Sequence, residues 1–295
     1  MTTLIAWAAI DQRTTSSVYM ASDSRLTWDK HGTWDSGRKI FASEKFPEIL
    51  GYTGDALFCS QILSQVIAFI DACSVLETAA NFEAKFDLVE SLIVRAFSTY
   101  PTKFCLPKFS IIYLTRIGNG LNARWSGCTL AWSMQEGWLP RLVHHIPHTW
   151  DEVWSIGINS GKEVQDRELA HQQAVMFVSA GSGGKKFRTF YNGSEWSKKL
   201  PLISRGIFGA FSDFVKHNGS LDPATGGTPQ LSALYRTSHA QKIGFVKDNN
   251  RHLYGIILTP DEYDSRVRWV NSNFENCGSF TGKLIAGQQR QPAPY

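Results

Sequence analysis

The most restrictive feature of the sequence is a pair of amphipathic helical segments set between runs of strand-like segments. In residues 55–73 and 81–100, apolar residues recur every three or four positions, which is the period of a helix that buries one face. Asp55 is a predicted N-cap of the first segment, and Pro101 ends the second. Strand runs that alternate with helix runs indicate an α+β fold with antiparallel sheets rather than a parallel βαβ series.

The strand runs begin at the amino terminus. Residues 2–10 and 17–24 are predicted to pair across the polar residues 11–16, a connection longer than a minimal hairpin turn. Further strands are predicted at 38–43, 48–53, 108–117, 121–132, 138–146, 152–158, 174–180, 230–236, 242–247 and 252–259. Two more helices are predicted at 162–173 and 202–217, and the polar tail from about residue 275 is expected to fray. We find no repeat or linker, so a single domain of residues 1–295 is predicted.

Composition excludes several classes of protein. Of the 295 residues, 43% are hydrophobic and 19% charged, which is globular rather than disordered. The net charge of +4 without a basic run argues against a nucleic-acid partner. The sequence contains neither an apolar run long enough to cross a membrane nor a signal peptide that starts with basic residues. A cytoplasmic protein is therefore expected. The five cysteines have no C-x-x-C spacing, which favours a reducing compartment over disulfides or zinc.

The chemistry suggested by the sequence starts at Thr2, because a small residue after Met1 favours removal of that methionine. Thr2 would then carry a hydroxyl nucleophile and an α-amine with a pKa of about 7.7–8.0, which can act as a base at neutral pH. Asp23 ends the second predicted strand, and Lys39 begins the third, sixteen residues later. A lysine beside Thr2 would lower the pKa of the amine, and it needs a carboxylate to offset its buried charge. The plain alternative for these two residues is a surface ion pair of little energetic value.

The opening of the chain resembles that of a proteasome β-type subunit or a bacterial proteasome-like threonine peptidase, which are amino-terminal-nucleophile hydrolases. The resemblance is carried by "TTLIAW", "VYMASDSRLTW", "GRKIF" and "GYTGDA". It implies that Thr2 is the nucleophile, that Asp23 and Lys39 are its charged pair, and that Gly54 supplies the backbone N–H for the oxyanion. Arg25 continues the same "DSRxT" pattern and is expected to support the site.

Two later segments extend the resemblance. "SAGSGG" places Ser182, and "DPATGG" places Asp222, on residues that hydrogen-bond around the threonine amine in the family. Thr27 and Ala56 match positions whose backbone pairs with an extended substrate. Tyr52 matches a position near the floor of the first specificity pocket.

The resemblance implies a four-layer αββα sandwich of two antiparallel sheets flanked by helices. It implies hydrolysis of peptides or unfolded proteins without a cofactor, by a homo-oligomer for which a ring and an ATPase partner are options. The distance from Gly54 to Ser182 exceeds that of the family, so an insertion is expected within about 115–175. The chain beyond about 260 is expected to be a carboxyl-terminal extension.

Three alternatives stay open at this point. The same catalytic set could serve a non-peptidase amide hydrolase or acyl transferase, or the chain could be a catalytically silent structural ring subunit. A metal site at His144, His145 and His148 is the third, although alternating faces and the lack of a carboxylate partner favour an ordinary strand and loop.

Overall fold

The computed structural model describes residues 2–28, 31–77, 79, 81–149, 151–152, 174–200, 203–217, 223–247, 250–259 and 266–288. The strands, in chain order, are β1 (Leu4–Asp11), β2 (Thr14–Ser22), β3 (Leu26–Thr27), β4 (Thr33–Trp34), β5 (Ile40–Ala42), β6 (Glu48–Thr53), β7 (Lys108–Ile117), β8 (Arg124–Ser133), β9 (Gly137–Trp138), β10 (Leu142–His144), β11 (Ala174–Ala180), β12 (Gln230–Tyr235), β13 (Gln241–Lys247), β14 (Asn250–Leu253), β15 (Ile256–Leu258) and β16 (Arg268–Asn271). The α-helices are α1 (Ala56–Ala72), α2 (Phe82–Phe97), α3 (Gly184–Gly193), α4 (Glu195–Lys199) and α5 (Ser204–His217).

The strands form two large sheets, and β1 lies inside the larger one. The eight-stranded sheet has the order β11-β1-β2-β12-β13-β14-β15, with β16 paired to β13. The six-stranded sheet has the order β10-β8-β7-β6-β5, with β9 paired to β8, and β3 and β4 form a separate ribbon. All pairs are antiparallel except β13 with β16. The fold is therefore mixed α/β with antiparallel sheets, and the amino-terminal strand has neighbours on both sides.

Alternation along β1 shows what each face of the larger sheet contacts. Ile5 and Trp7 belong to a core cluster shared with α3, α4 and α5. Leu4, Ala6 and Ala8 belong to a second cluster, shared with residues such as Leu114 of the six-stranded sheet. This is the period of two that a strand buried on both faces requires.

The other face of the six-stranded sheet packs against α1 and α2 in a third core cluster. Both helices begin where the sequence predicted, with side-chain caps. The Asp55 carboxylate accepts a hydrogen bond from the Phe58 N–H at 2.7 Å, and the Asn81 side chain accepts one from the Ala84 N–H at 2.9 Å. The predictions of these two helices are confirmed.

The predicted long connection between the first two strands is wrong. Pairing continues to Asp11 and Thr14, so only a two-residue turn separates β1 from β2. The Asp11 carboxylate accepts the Arg13 N–H at 2.8 Å within this turn. The register shifts between Ala9 and Ile10, which pair with Ser17 and Thr15, so Ser16 is accommodated as a bulge. The polar residues that were expected to form a loop therefore continue the hairpin.

Other differences arise where local patterns were misleading. Helices α3 and α4 were not predicted, because a glycine turn and several lysines mask the spacing of their buried aromatic residues. The predicted strand at 252–259 is split by a turn at Tyr254 and Gly255, both at positive φ. The predicted fraying from about residue 275 is not seen up to residue 288, since Asn276 bridges to Val270 and Cys277 bridges to Leu284. The predicted strand at 152–158, beyond position 152, and the predicted helix at 162–173 lie outside the described residues. Within the described ranges, no helix is both long and apolar enough to cross a membrane.

The cluster between the two sheets should contribute strongly to stability, because its side chains are almost fully buried. Leu114 has no exposed surface in that cluster, so the Leu114→Ala variant should lower the free energy of unfolding by about 2–5 kcal/mol. Leu121 is 73% exposed, so the same substitution there is the control and should change stability by less than about 0.5 kcal/mol. Urea denaturation followed by circular dichroism measures both, and equal losses would contradict the packing described.

Candidate active site

The centre of the candidate site is a buried ion pair. The Lys39 Nζ atom lies 2.8 Å from Asp23 Oδ1, and neither side chain has exposed surface. Asp23 directly follows β2, and Lys39 directly precedes β5, so the pair joins the two sheets at the ends of their strands. Burial of two charges carries a large desolvation cost, which good geometry and additional hydrogen bonds must offset.

The Asp23 carboxylate has those additional hydrogen bonds. Its Oδ1 atom also accepts the Thr3 N–H at 3.0 Å, while Oδ2 accepts the Gly226 N–H at 3.1 Å and the Arg25 N–H at 3.3 Å. The carboxylate therefore fixes the backbone next to Thr2, the backbone of a distant loop, and the lysine side chain at one point.

The Lys39 ammonium makes fewer hydrogen bonds than the ammonium of Lys85, which belongs to a second buried ion pair in the described residues. The ammonium of Lys85, paired with Glu48 at 2.6 Å, also donates to Thr115 Oγ1 and to the Arg116 carbonyl, both at 3.1 Å. Within the described part of the chain, the Lys39 ammonium makes a single hydrogen bond, to Asp23. An ammonium has three N–H donors, so Lys39 retains donors that a purely structural pair would use.

Thr2 lies two residues before the start of β1, and its backbone contacts the glycine loop that follows β11. The Gly183 N–H donates to the Thr2 carbonyl oxygen at 3.5 Å. Gly181 has a φ of +84°, and a Cβ atom there would lie 1.9 Å from the same oxygen. Ser182, between these two glycines, is exposed. The structure thus brings the loop that carries Ser182 to Thr2. Thr2 itself is only 2% exposed.

The second predicted loop also reaches the amino terminus, through residues that the sequence did not single out. The Thr225 and Thr3 hydroxyl oxygens lie 2.7 Å apart, and both residues are fully buried. The Gly226 carbonyl accepts the N–H groups of Ser24 and Arg25, each at 3.0 Å. Asp222, the residue of the "DPATGG" segment to which the resemblance assigns a role, lies outside the described residues.

Gly54 occupies the turn between β6 and α1. Its φ is +96°, and a Cβ atom would lie 2.4 Å from the Lys108 carbonyl oxygen, so only glycine fits without distortion. The preceding residue, Thr53, approaches the same glycine loop as Thr2, since its Cγ2 atom lies 3.2 Å from the position of a Cβ on Gly181. Thr2, Gly181 and Thr53 are thus contiguous, with Gly54 next in the chain.

Arg25 supports the site from outside. Its guanidinium forms a two-pronged pair with Asp35, at 2.7 and 2.9 Å, and donates to the Pro223 carbonyl at 3.1 Å. Hydrogen bonding to Asp35 raises the pKa of Arg25. The Thr27 hydroxyl, on β3, is buried and has no hydrogen-bond partner in the described residues.

Tyr52 and Ala56 are not brought to an open surface near Thr2. Tyr52 is fully buried in the cluster under α1 and α2, its hydroxyl donates to the Arg38 carbonyl at 3.3 Å, and burial raises its pKa. Ala56 is partly buried and packs against the same cluster. The geometry therefore gives no support to substrate contact by the Tyr52 side chain.

Burial governs the electrostatics of Lys39. Desolvation lowers the pKa of its ammonium below the ordinary value of 10.5, and attraction to Asp23 offsets part of that effect. The more distant Asp35 also raises this pKa, whereas Arg25 lowers it.

Metal-binding clusters are not found in the described ranges, where no three His, Cys, Asp or Glu residues could hold an ion together. His144 instead shares a hydrogen bond of 2.7 Å with the Thr129 hydroxyl. All five cysteines are free thiols.

Comparison with known proteins gives distant structural similarities only. No family model and no curated protein matches the chain. The chain is similar to an Anbu (Gly-1) mutant from Hyphomicrobium sp. strain MC1, with a TM-score of 0.47 and 10% identity over 82% of this chain and 87% of that one. It is also similar to eukaryotic HslV from Trypanosoma brucei, with a TM-score of 0.38 and 13% identity over 79% of this chain and 99% of that one. With TM-scores below 0.5, these similarities assign neither a family nor an activity.

The lowered pKa of Lys39 predicts a specific pH dependence of stability. Between that pKa and 10.5, the unfolded chain holds a proton that the folded chain lacks, so stability rises with pH. The free energy of unfolding of wild type minus that of Lys39→Met should therefore increase with pH, by at most about 1.4 kcal/mol per unit.

Urea denaturation between pH 8 and pH 11 measures this difference. Lys45→Met, at an exposed lysine, is the control, and its difference from wild type should stay constant. A flat difference for Lys39→Met would contradict the effect of burial on Lys39.

Proposed function

We propose that the protein is a threonine-type peptidase whose nucleophile is Thr2, made amino-terminal by removal of Met1. One observation carries the proposal: the fully buried Lys39–Asp23 pair is hydrogen-bonded to the Thr3 N–H, directly beside Thr2. The resemblance of the opening motifs to proteasome β-type subunits supports the same assignment.

In the proposed reaction, Thr2 Oγ attacks the carbonyl carbon of the scissile amide, and its proton passes to the Thr2 amine. The amine then gives the proton to the leaving amine as the amide bond breaks, which leaves an acyl ester on Thr2. Water, deprotonated by the same amine, hydrolyses the ester and regenerates the hydroxyl.

Lys39 has an electrostatic role in this scheme. A positive charge near Thr2 lowers the pKa of both the amine and the hydroxyl. The donors that Lys39 leaves unused toward described residues are suited to the Thr2 hydroxyl, while Asp23 keeps the ammonium charged and oriented. The side chain of Lys85 shows the contrast, because its ammonium donates three hydrogen bonds that connect α2 to the sheet.

The remaining roles are assigned by the resemblance. The Gly54 N–H would stabilise the oxyanion, and Ser182 and Asp222 would orient the amine. Thr27 and Ala56 would pair their backbones with an extended substrate strand. The approach of the Gly181–Gly183 loop to the Thr2 backbone supports the place of Ser182.

We further propose a four-layer αββα sandwich in a single domain of residues 1–295, with an insertion within about 115–175 and an extension beyond about 260. The three core clusters support the layers, since each large sheet contacts helices on one face and the other sheet on the second. A peptide or unfolded-protein substrate, a homo-oligomer and an ATPase partner rest on the resemblance alone, and the proposed cytoplasmic location rests on the composition of the sequence.

A second candidate is a catalytically silent subunit, and the burial of Thr2 favours it. Thr2 is 2% exposed in the full-length chain, whereas a nucleophile has to meet its substrate. The two candidates differ in whether Thr2 reacts.

Intact-mass measurement after treatment with a peptide epoxyketone tests the proposal. Such a reagent bonds to both the hydroxyl and the amine of an amino-terminal threonine, so a single adduct on a chain that has lost Met1 is expected. The Thr2→Ala variant should form no adduct. Loss of Met1 without an adduct would favour the silent subunit, and turnover of simple acyl amides without cleavage of a peptide library would favour a non-peptidase hydrolase.

Gly181 offers a test of the geometry around Thr2. The Gly181→Ala variant adds a Cβ that overlaps the Thr2 carbonyl oxygen and would displace the nucleophile, which should slow adduct formation about 100-fold. Gly193→Ala is the matched control, because a Cβ there has no neighbour within 4 Å. Equal rates for the two variants would be incompatible with the contact between the glycine loop and Thr2.

A further inference from the structure

Gln230 is a buried polar side chain that the opening motifs do not include. It is the first residue of β12, pairs with Ser22 of β2, and is 1% exposed. Its side chain leaves the strand toward the two loops that carry Asp23 and Lys39. An amide in such a position has to satisfy its hydrogen bonds within the protein.

The amide of Gln230 is hydrogen-bonded at both ends. Its Oε1 atom accepts the Lys39 N–H at 3.0 Å. Its Nε2 atom donates to the Gly37 carbonyl at 2.6 Å and to Ser24 Oγ at 3.0 Å, with the Asp23 carbonyl at 3.4 Å. If the amide were reversed, its NH₂ group would face the Lys39 N–H, and its oxygen would face the Gly37 carbonyl oxygen. Neither contact could be a hydrogen bond, so these two neighbours fix the orientation of the amide.

These bonds span the segments that carry the ion pair. Residues 23–25 lie beyond the end of β2, and residues 37–39 lie before the start of β5, so no strand pairing fixes either segment directly at these positions. Gln230 bonds to the backbone of both from a third strand. The Gly37 N–H also donates directly to the Ser24 carbonyl at 2.9 Å. Gln230 therefore adds a side-chain link beside this one main-chain link between the two segments.

We infer that Gln230 is a positioning residue that holds Lys39 against Asp23 and so controls the charge presented to Thr2. The inference rests on the proposed function, because it assigns Gln230 a role in the reactivity of Thr2. Gln230 acts through Lys39 and Asp23 and is not itself expected to touch the substrate.

The role predicts a change in pH dependence rather than a loss of stability alone. If the Thr2 amine has to be free and Lys39 charged, the rate of epoxyketone adduct formation should rise with pH as the amine deprotonates and fall as Lys39 deprotonates. The charged groups that act on Lys39 are Asp23, Asp35 and Arg25. Of these three groups, Asp23 alone contacts the ammonium. The distance between Asp23 and the ammonium therefore determines the pH at which the adduct rate falls on the alkaline side, which we call the alkaline limb of the profile.

Two substitutions should move the alkaline limb in opposite directions. Gln230→Met keeps the volume but removes every hydrogen bond, so Lys39 remains buried while Asp23 is held less closely. Its limb should move to lower pH, with a rate at neutral pH reduced about tenfold or more. Gln230→Glu places a carboxylate at the Lys39 backbone, and the added negative charge should move the limb to higher pH.

The experiment measures the adduct rate by intact mass from pH 6 to pH 10 on full-length protein, with thermal unfolding in parallel. Gln241→Met is the matched control, since Gln241 lies on the adjacent β13, is partly exposed and has only a 3.5 Å contact with the His239 carbonyl. Its profile should equal that of wild type. If Gln230→Met does not fold, Gln230→Glu still tests the direction of the shift.

Displacement of the limb supports the inference. Unchanged limbs in the folded Gln230 variants would overturn it, even if their stability or overall rate fell, because that pattern marks a merely structural residue. Failure of the wild-type protein to form any adduct would overturn the proposed function itself. The wild-type profile alone therefore separates failure of the proposed function from failure of the inference about Gln230.

Discussion

The buried contact between Lys39 and Asp23 is the interaction on which the rest of the site depends. Isolated charges at this depth would be unstable, and the contact is tolerated because Asp23 also accepts three backbone N–H groups. Those groups belong to the amino-terminal strand, to residue 25 and to the loop at Gly226. Satisfying one carboxylate therefore fixes the positions of the chain segments that surround Thr2.

The local parts of the fold could be predicted from the sequence. The periodicity of α1 and α2 and the Asp55 cap are short-range signals, and the structure agrees with them. The association of Asp23 with Lys39 followed from strand ends and a known spacing. Helix α3 was missed because its turn of glycines and its lysines resemble a loop, although its aromatic residues are buried.

Gln230 and Thr225 show why the remainder could not be predicted. Gln230 is hydrogen-bonded to the backbone of Lys39, which lies 191 positions away in the sequence. Thr225 is hydrogen-bonded to Thr3, which lies 222 positions away. A glutamine at the start of a strand has no periodic or motif signal, and its importance lies only in which distant backbone groups it satisfies. Tyr52 is the opposite case, since the resemblance suggested a substrate contact and the packing places the side chain in the core.

The Gly226 N–H that Asp23 accepts comes from a residue 203 positions later in the chain. During synthesis on the ribosome, the amino-terminal hairpin emerges long before that loop exists. Contacts of such sequence separation close late in folding. The charged pair next to Thr2 therefore lacks one of its backbone supports until just over three-quarters of the chain has been made. A nascent fragment thus carries the threonine without the completed environment that surrounds it in the folded protein.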